Sequence, residues 1–154
     1  MLTVASIITG GFIDMTDATT EDGHTATIAT LLALFSSGGF DEAMELFSED
    51  VEMRLPFQDP STGFWSEIDG RKGLRQLFAS IPRLFATHPL HLDSVIRSAD
   101  SRSLVARYRG DFTVRKTGKP YQNTYIAVFE FDDDKIRSWT EFHNPQILGE
   151  SLRP

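Results

Sequence analysis

The run DDDKIRSWTEFHNP, residues 132–145, sets a carboxylate and an imidazole two positions apart on a segment that otherwise alternates like a β-strand. Side chains two apart on a strand share a face. Trp139, Glu141 and His143 therefore lie together, opposite Ser138, Thr140 and Phe142. On the preceding segment Tyr121, Asn123, Tyr125, Ala127 and Phe129 share a face. One segment further back, Tyr108 lies with Gly110 and Phe112. If these faces converge, Tyr108, Asn123, Tyr125, Trp139, Glu141 and His143 line one cavity, mostly apolar with a few polar groups, as small-ligand sites are. Glu141 is then the proton carrier, because burial disfavours its charged form and lifts its pKa toward neutrality. His143 shares the proton or orients a substrate oxygen, and Asn123 donates to a carbonyl.

Each of these residues also has a plain structural reading. Glu141 pairs with Arg137 or Arg109 on the surface. His143 sits at a strand end, where exposure is common. Asn123 satisfies a strand or bulge hydrogen bond. Tyr125 and Trp139 are core aromatics.

The elements that must position these residues follow from periodicity. TATIATLLALFSSGG spaces Ile28, Leu31, Leu32 and Phe35 as one helical stripe, ended by Ser36 to Gly39. FDEAMELF is a second short helix, with Asp41 as its cap. VEMRL alternates as a strand. RKGLRQLFASIPRLF is a third helix with Leu74, Leu77, Phe78 and Ile81 on its stripe, and Pro82 bends or ends it. Between them, PFQDPSTGFWSEIDG is rich in turn residues yet aromatic, so Phe57, Phe64 and Trp65 fold back over an apolar opening. The remainder reads as strands joined by the turns ADS, TGKP and DDDK. Three successive hairpins give an antiparallel meander. Helices first and a bent sheet afterwards make an α+β fold.

Bulk properties bound the function. The chain has 154 residues, 40% of them hydrophobic, which suits one domain with a real core. Its 22 acidic residues outnumber 15 Lys and Arg, for a net charge of −7. A nucleic-acid binder needs a basic stripe, and none is present. Attraction to an anionic membrane is disfavoured for the same reason. The absence of Cys removes disulfides, thiolate nucleophiles and cysteine metal sites. The opening MLTVASIITGGF has no basic leader and no unbroken apolar run, so a cytoplasmic protein is expected. His88 and His91 face opposite sides of any strand, and no metal or cofactor is expected. ITGGF and SSGGF lack the Lys-Ser/Thr of a phosphate loop.

From Thr25 the order helix, helix, strand, aromatic loop, helix, four strands resembles the nuclear-transport-factor-like superfamily. The tail YQNTYIAVFEFDDDKIRSWTEFHNP is similar to its SnoaL-like polyketide cyclase branch, and within that to phenazine-biosynthesis proteins, in its acidic turn, Lys-Ile step and Glu-Phe-x-Asn-Pro ending. The resemblance implies a cone-shaped curved antiparallel sheet wrapped around three N-terminal helices. The domain spans 24–148, with a tail or arm over 1–23 and a C-terminal tail over 149–154. It implies that Glu141 is the acid–base residue, and that the chain forms a homodimer across the outer sheet face. The site expected is Glu141 and His143 for catalysis, with Asn123, Tyr125, Trp139, Tyr108, Phe57 and Trp65 binding a small hydrophobic molecule. The function expected is a cofactor-independent cyclase, isomerase or condensation enzyme. The alternative is a non-catalytic small-ligand-binding or dimerisation domain. The ketosteroid-isomerase pattern is not met: the position of its Asp falls near Leu55, which cannot take a proton.

Overall fold

The computed structural model describes residues 15–154, with side chains from Gly23 onward. Helix α1 (Met15–Ser37) leads to α2 (Phe40–Ala43), which tightens into a 3-10 turn over Met44–Leu46. Strand β1 (Phe47–Arg54) is followed by the aromatic loop, β2 (Glu67–Asp69) and α3 (Gly70–Leu84). Then come β3 (Phe85–Thr87), β4 (Leu90–Arg97), β5 (Ser103–Val114), β6 (Pro120–Asp132), β7 (Lys135–Phe142) and α4 (Pro145–Leu152).

The expected helical stripes form. Ile28, Leu31, Leu32 and Phe35 of α1 are buried, as are Leu74, Phe78 and Ile81 of α3, each set spaced three or four apart. Helix α1 packs on β4 and β5, and α3 on β1, β2 and β3. Several local expectations are corrected. Asp41 does not cap α2; Gly39 holds that position, and Asp41 instead pairs with Arg75 at 2.7 Å. Pro82 does not end α3. It lies in the last turn, two residues before the helix ends at Leu84, and Arg115 takes the exposed carbonyls, with Nε donating to Pro82 O (3.0 Å) and N donating to Leu84 O (2.8 Å). Helix α1 opens at Met15, within the segment read as a tail or arm over 1–23. The first fourteen residues of that segment lie outside the described residues. Helix α4 runs across the boundary between the domain, ending at 148, and the C-terminal tail, beginning at 149.

The sheet overturns the expected cone. Its order is β2-β1-β7-β6-β5-β3, with β4 also pairing β5, and its two ends do not meet. The three hairpins are antiparallel as read. However, β1 pairs with β7 in parallel, Met53 opposite Trp139, so the sheet is mixed as well as open. Nor do all three helices precede it, since α3 joins β2 to β3. Hairpin spacing reports only neighbours in sequence. The outer edge of β7 is filled by a strand from far upstream, whose direction no local pattern encodes. The far edge of β5 is covered by two strands, β3 and β4, broken at His88 and Pro89. Proline has no N–H for the ladder; its carbonyl still accepts from Asp111 N at 3.1 Å.

Strict alternation of burial along β5 and β6 gives the sheet one inner face. Two hairpin turns on this sheet are tied to α1 by His24. Its Nδ1 lies 3.1 Å from Ser101 O and its Nε2 2.7 Å from Asp133 O, and its ring stacks on Phe131 at 3.9 Å. Ser101 and Asp133 are the two non-glycine residues with positive φ among the described residues (59° and 52°), so His24 anchors the two most constrained turns. Removing the ring deletes both polar ties and the stack. His24→Ala is expected to cost about 2–4 kcal/mol, read as a lower denaturation midpoint with an unchanged denaturant slope.

Candidate active site

Between the inner face of the sheet, α3 and the aromatic loop lies a cavity of about 440 Å³. The sheet supplies Tyr108 and Phe112 from β5, Tyr121 and Tyr125 from β6, and Trp139 and Glu141 from β7. Helix α3 supplies Leu77, Phe78, Ile81 and Leu84. The loop supplies Leu55, Gln58, Thr62, Phe64 and Trp65, and His143 follows β7. Register explains the convergence. Tyr108 lies opposite Tyr125 and stacks on it at 5.2 Å, while Glu141 lies opposite Ala127. The small Ala127 leaves room for Tyr108 on β5 to reach across β6 to the carboxylate on β7.

Glu141 is 8% exposed and accepts the Tyr108 hydroxyl proton on Oε2. The arginines that offered it a surface pair are engaged elsewhere: Arg137 with Glu130 at 3.2 Å, Arg109 with Asp93 at 3.0 Å. No cation among the described residues offsets its burial. Desolvation therefore pushes its pKa from 4.5 to about 7, and Tyr108 and Trp139 hold it from rising further. The Trp139 indole N–H acts on the carboxylate from nearby but completes no hydrogen bond, so it stays a buried donor without an acceptor. Burial and the neighbouring carboxylate push the Tyr108 hydroxyl well above its ordinary value, so it remains a donor.

His143 is buried, with Nε2 3.2 Å from Gln58 Oε1, and burial lowers its pKa, keeping the ring neutral. Tyr125 bonds Tyr121 through their hydroxyls at 3.1 Å, and burial raises both pKa values, Tyr121 to about 12.

Six of the eight residues expected at a site line this cavity: Glu141, His143, Tyr125, Trp139, Tyr108 and Trp65. Asn123 and Phe57 do not. Asn123 is buried, but its amide nitrogen donates to Tyr121 Oη (3.1 Å) and Asn144 O (2.9 Å), and its oxygen accepts from Thr124 N and Asn144 N. It pins the chain leaving β7, and so sets the height of His143. Phe57 is 59% exposed and packs edge-on against Phe142, on the opposite face of β7 from Glu141. Sequence reading missed Gln58 and Thr62, two polar residues in a stretch rich in turn signals. Their placement depends on the turn itself: Asp59 caps Ser61 N at 2.8 Å, and Gly63 closes it at φ 77°. Among the described residues, no three His, Asp or Glu side chains are grouped to hold a metal ion, and no helix is long and apolar enough to cross a membrane.

Removing the Tyr108 hydroxyl isolates its effect on Glu141. Since that bond lowers the carboxyl pKa, Tyr108→Phe is expected to move any Glu141-dependent pH–rate midpoint to higher pH. It should also cost about 1–3 kcal/mol of stability, for a buried carboxylate with one partner fewer.

The same architecture recurs in known proteins. A family model for the SnoaL-like domain matches residues 28–139. YesE, an uncharacterized protein of Bacillus subtilis (strain 168), is 28% identical over 108 residues, covering 70% of this chain and 72% of that protein. A crystal structure of a candidate isomerase from Bacillus subtilis superposes with a TM-score of 0.78 at 24% identity, covering 85% of this chain and 93% of the other. A phenazine biosynthesis-related protein from Pseudomonas aeruginosa gives 0.74 at 21% identity, covering 92% and 91%. At these identities the two structures speak for the fold alone. The family match spans most of the folded chain, from the stripe of α1 to Trp139 in β7. The chain belongs to the SnoaL-like domain family.

Proposed function

We propose that this protein is a general acid–base enzyme for a small, flat, largely apolar molecule, acting as a cyclase, isomerase or condensation enzyme without a cofactor. One observation carries the reading: Glu141, in the wall of an aromatic cavity, has no cationic partner among the described residues and a pKa pushed to about 7. A carboxyl near neutrality takes a proton from carbon and returns it with comparable ease. The phenazine-type resemblance of the run Tyr121–Pro145 supports the same residue, and the isomerase and phenazine-biosynthesis names of two structural neighbours accord with the reaction class. In this reading His143 assists at the reacting end. Tyr108, Tyr125, Trp139 and Trp65 bind the substrate, while Asn123 and Phe57 act by positioning. The homodimer implied by the resemblance belongs to the same proposal, and exposed Ile126 on β6 supports an apolar contact there.

The test uses 5-nitrobenzisoxazole, a flat arene with one acidic C–H. The Glu141 carboxylate removes the proton from C3, that electron pair closes the nitrile, and the N–O bond breaks to give 2-cyano-4-nitrophenolate. Saturable turnover rising through about pH 7 is expected. Turnover no faster than that of buffer carboxylates would leave the protein as a binding domain.

A further inference from the structure

We infer that the cavity selects a ligand bearing a hydroxyl group, whose O–H donates to Nδ1 of His143, and that Gln58 and Thr62 are positioning residues that create this preference. The inference rests on the small-molecule site proposed above and specifies the chemistry of its occupant.

Thr62 has a single hydroxyl proton, and it donates it to Asp59 O at 2.6 Å. Thr62 Oγ1 is therefore an acceptor toward its other neighbours, Gln58 at 3.0 Å and Phe64 N at 3.4 Å. The Gln58 amide must turn its nitrogen to Thr62, since two acceptors cannot bond. Its carbonyl Oε1 then faces His143 Nε2 at 3.2 Å. A carbonyl only accepts, so Nε2 carries the imidazole proton. In the neutral ring Nδ1 is left with a lone pair. That nitrogen is buried and has no hydrogen-bond partner among the described residues.

A buried acceptor without a donor is costly, and a ligand that supplies the donor recovers the cost on binding. The remaining wall is mostly aromatic and aliphatic, with Ser80, Arg83 and Glu141 as its other polar members, and suits a phenolic or enolic hydroxyl on a flat ring. The other tautomer, with hydrogen on Nδ1, would call for a ketone or ether instead, so the Asp59–Thr62–Gln58 chain sets which oxygen function the site accepts.

Two measurements on the intact protein test this. Nitrogen NMR of His143 is expected to show a protonated Nε2 and a bare Nδ1. Binding of 2-naphthol is expected to exceed that of 2-methoxynaphthalene, matched in ring but lacking the O–H, by about tenfold. In Gln58→Met the tautomer preference should relax and the advantage should fall toward one. Thr62→Val, which keeps the side-chain shape but cannot orient the amide, should do the same and covers the case in which Gln58→Met does not fold. A proton on Nδ1 in the wild type overturns the inference. So do equal affinities for the two arenes, or an advantage that survives both substitutions; each leaves the acid–base reading standing. Failure of both arenes to bind overturns the inference together with the small-molecule site.

Discussion

The Glu141→Gln protein is expected to lose at least about a hundredfold in turnover of 5-nitrobenzisoxazole while still binding neutral arenes. Gln keeps the length and planarity of the side chain and can still accept the Tyr108 hydroxyl, so the cavity wall is preserved. It cannot take a proton. The basicity of the remaining candidate base in this wall, His143, is lowered by desolvation. Wild-type turnover should follow a single ionisation near pH 7, the carboxylate being the active form. A variant that keeps both turnover and that ionisation would move the chemistry away from Glu141. One that loses binding along with turnover would show a packing defect, which neutral-arene affinity detects directly.

The same substitution is expected to stabilise the protein at alkaline pH. Folding raises the Glu141 pKa from 4.5 to about 7, so the folded chain holds this proton more tightly than the unfolded chain. The stability contributed is fully present below about pH 4.5 and is lost as pH rises through about 7. The shift corresponds to about 3 kcal/mol between those limits. The amide that replaces the carboxyl in the variant carries no such dependence. Unfolding free energies of the two proteins at pH 4.5 and pH 8 should therefore diverge, with Glu141→Gln gaining about 3 kcal/mol over wild type at the higher pH relative to the lower. Other carboxylates contribute equally to both proteins and cancel. Parallel curves would mean that Glu141 titrates alike in the folded and unfolded chains. Such a gain on losing the carboxyl is the signature of a group kept for chemistry at a cost in stability.

Local pattern carried much of this site. Period-two alternation put Trp139 and Glu141 on one face and Tyr121 and Tyr125 on another, and both faces are buried. The helical stripes of α1 and α3 were equally readable, because each is a repeat within a single element. What depended on distant partners was not readable. The parallel seam between β1 and β7 joins strands more than eighty residues apart. Pairing across it, and the open edges it leaves, follow from the path of the whole chain. The bond from Tyr108 to Glu141 crosses β6 and depends on both hairpin registers and on the small Ala127 between them. Asn123 looked like a substrate donor because it shares a face with Tyr125, yet its amide is taken by the chain leaving β7. Gln58 carried no signal at all: its role comes from Thr62 and Asp59, within a turn whose shape sequence alone does not specify.

Glu141 is a buried carboxyl poised near neutrality with no cationic partner among the described residues, and its own titration tests that most directly. Carboxyl carbon NMR of labelled protein, with Glu141→Gln to assign the resonance, should give a midpoint of about 7 for this residue. A midpoint near the ordinary 4.5 would mean a solvated or paired carboxylate and would contradict the account.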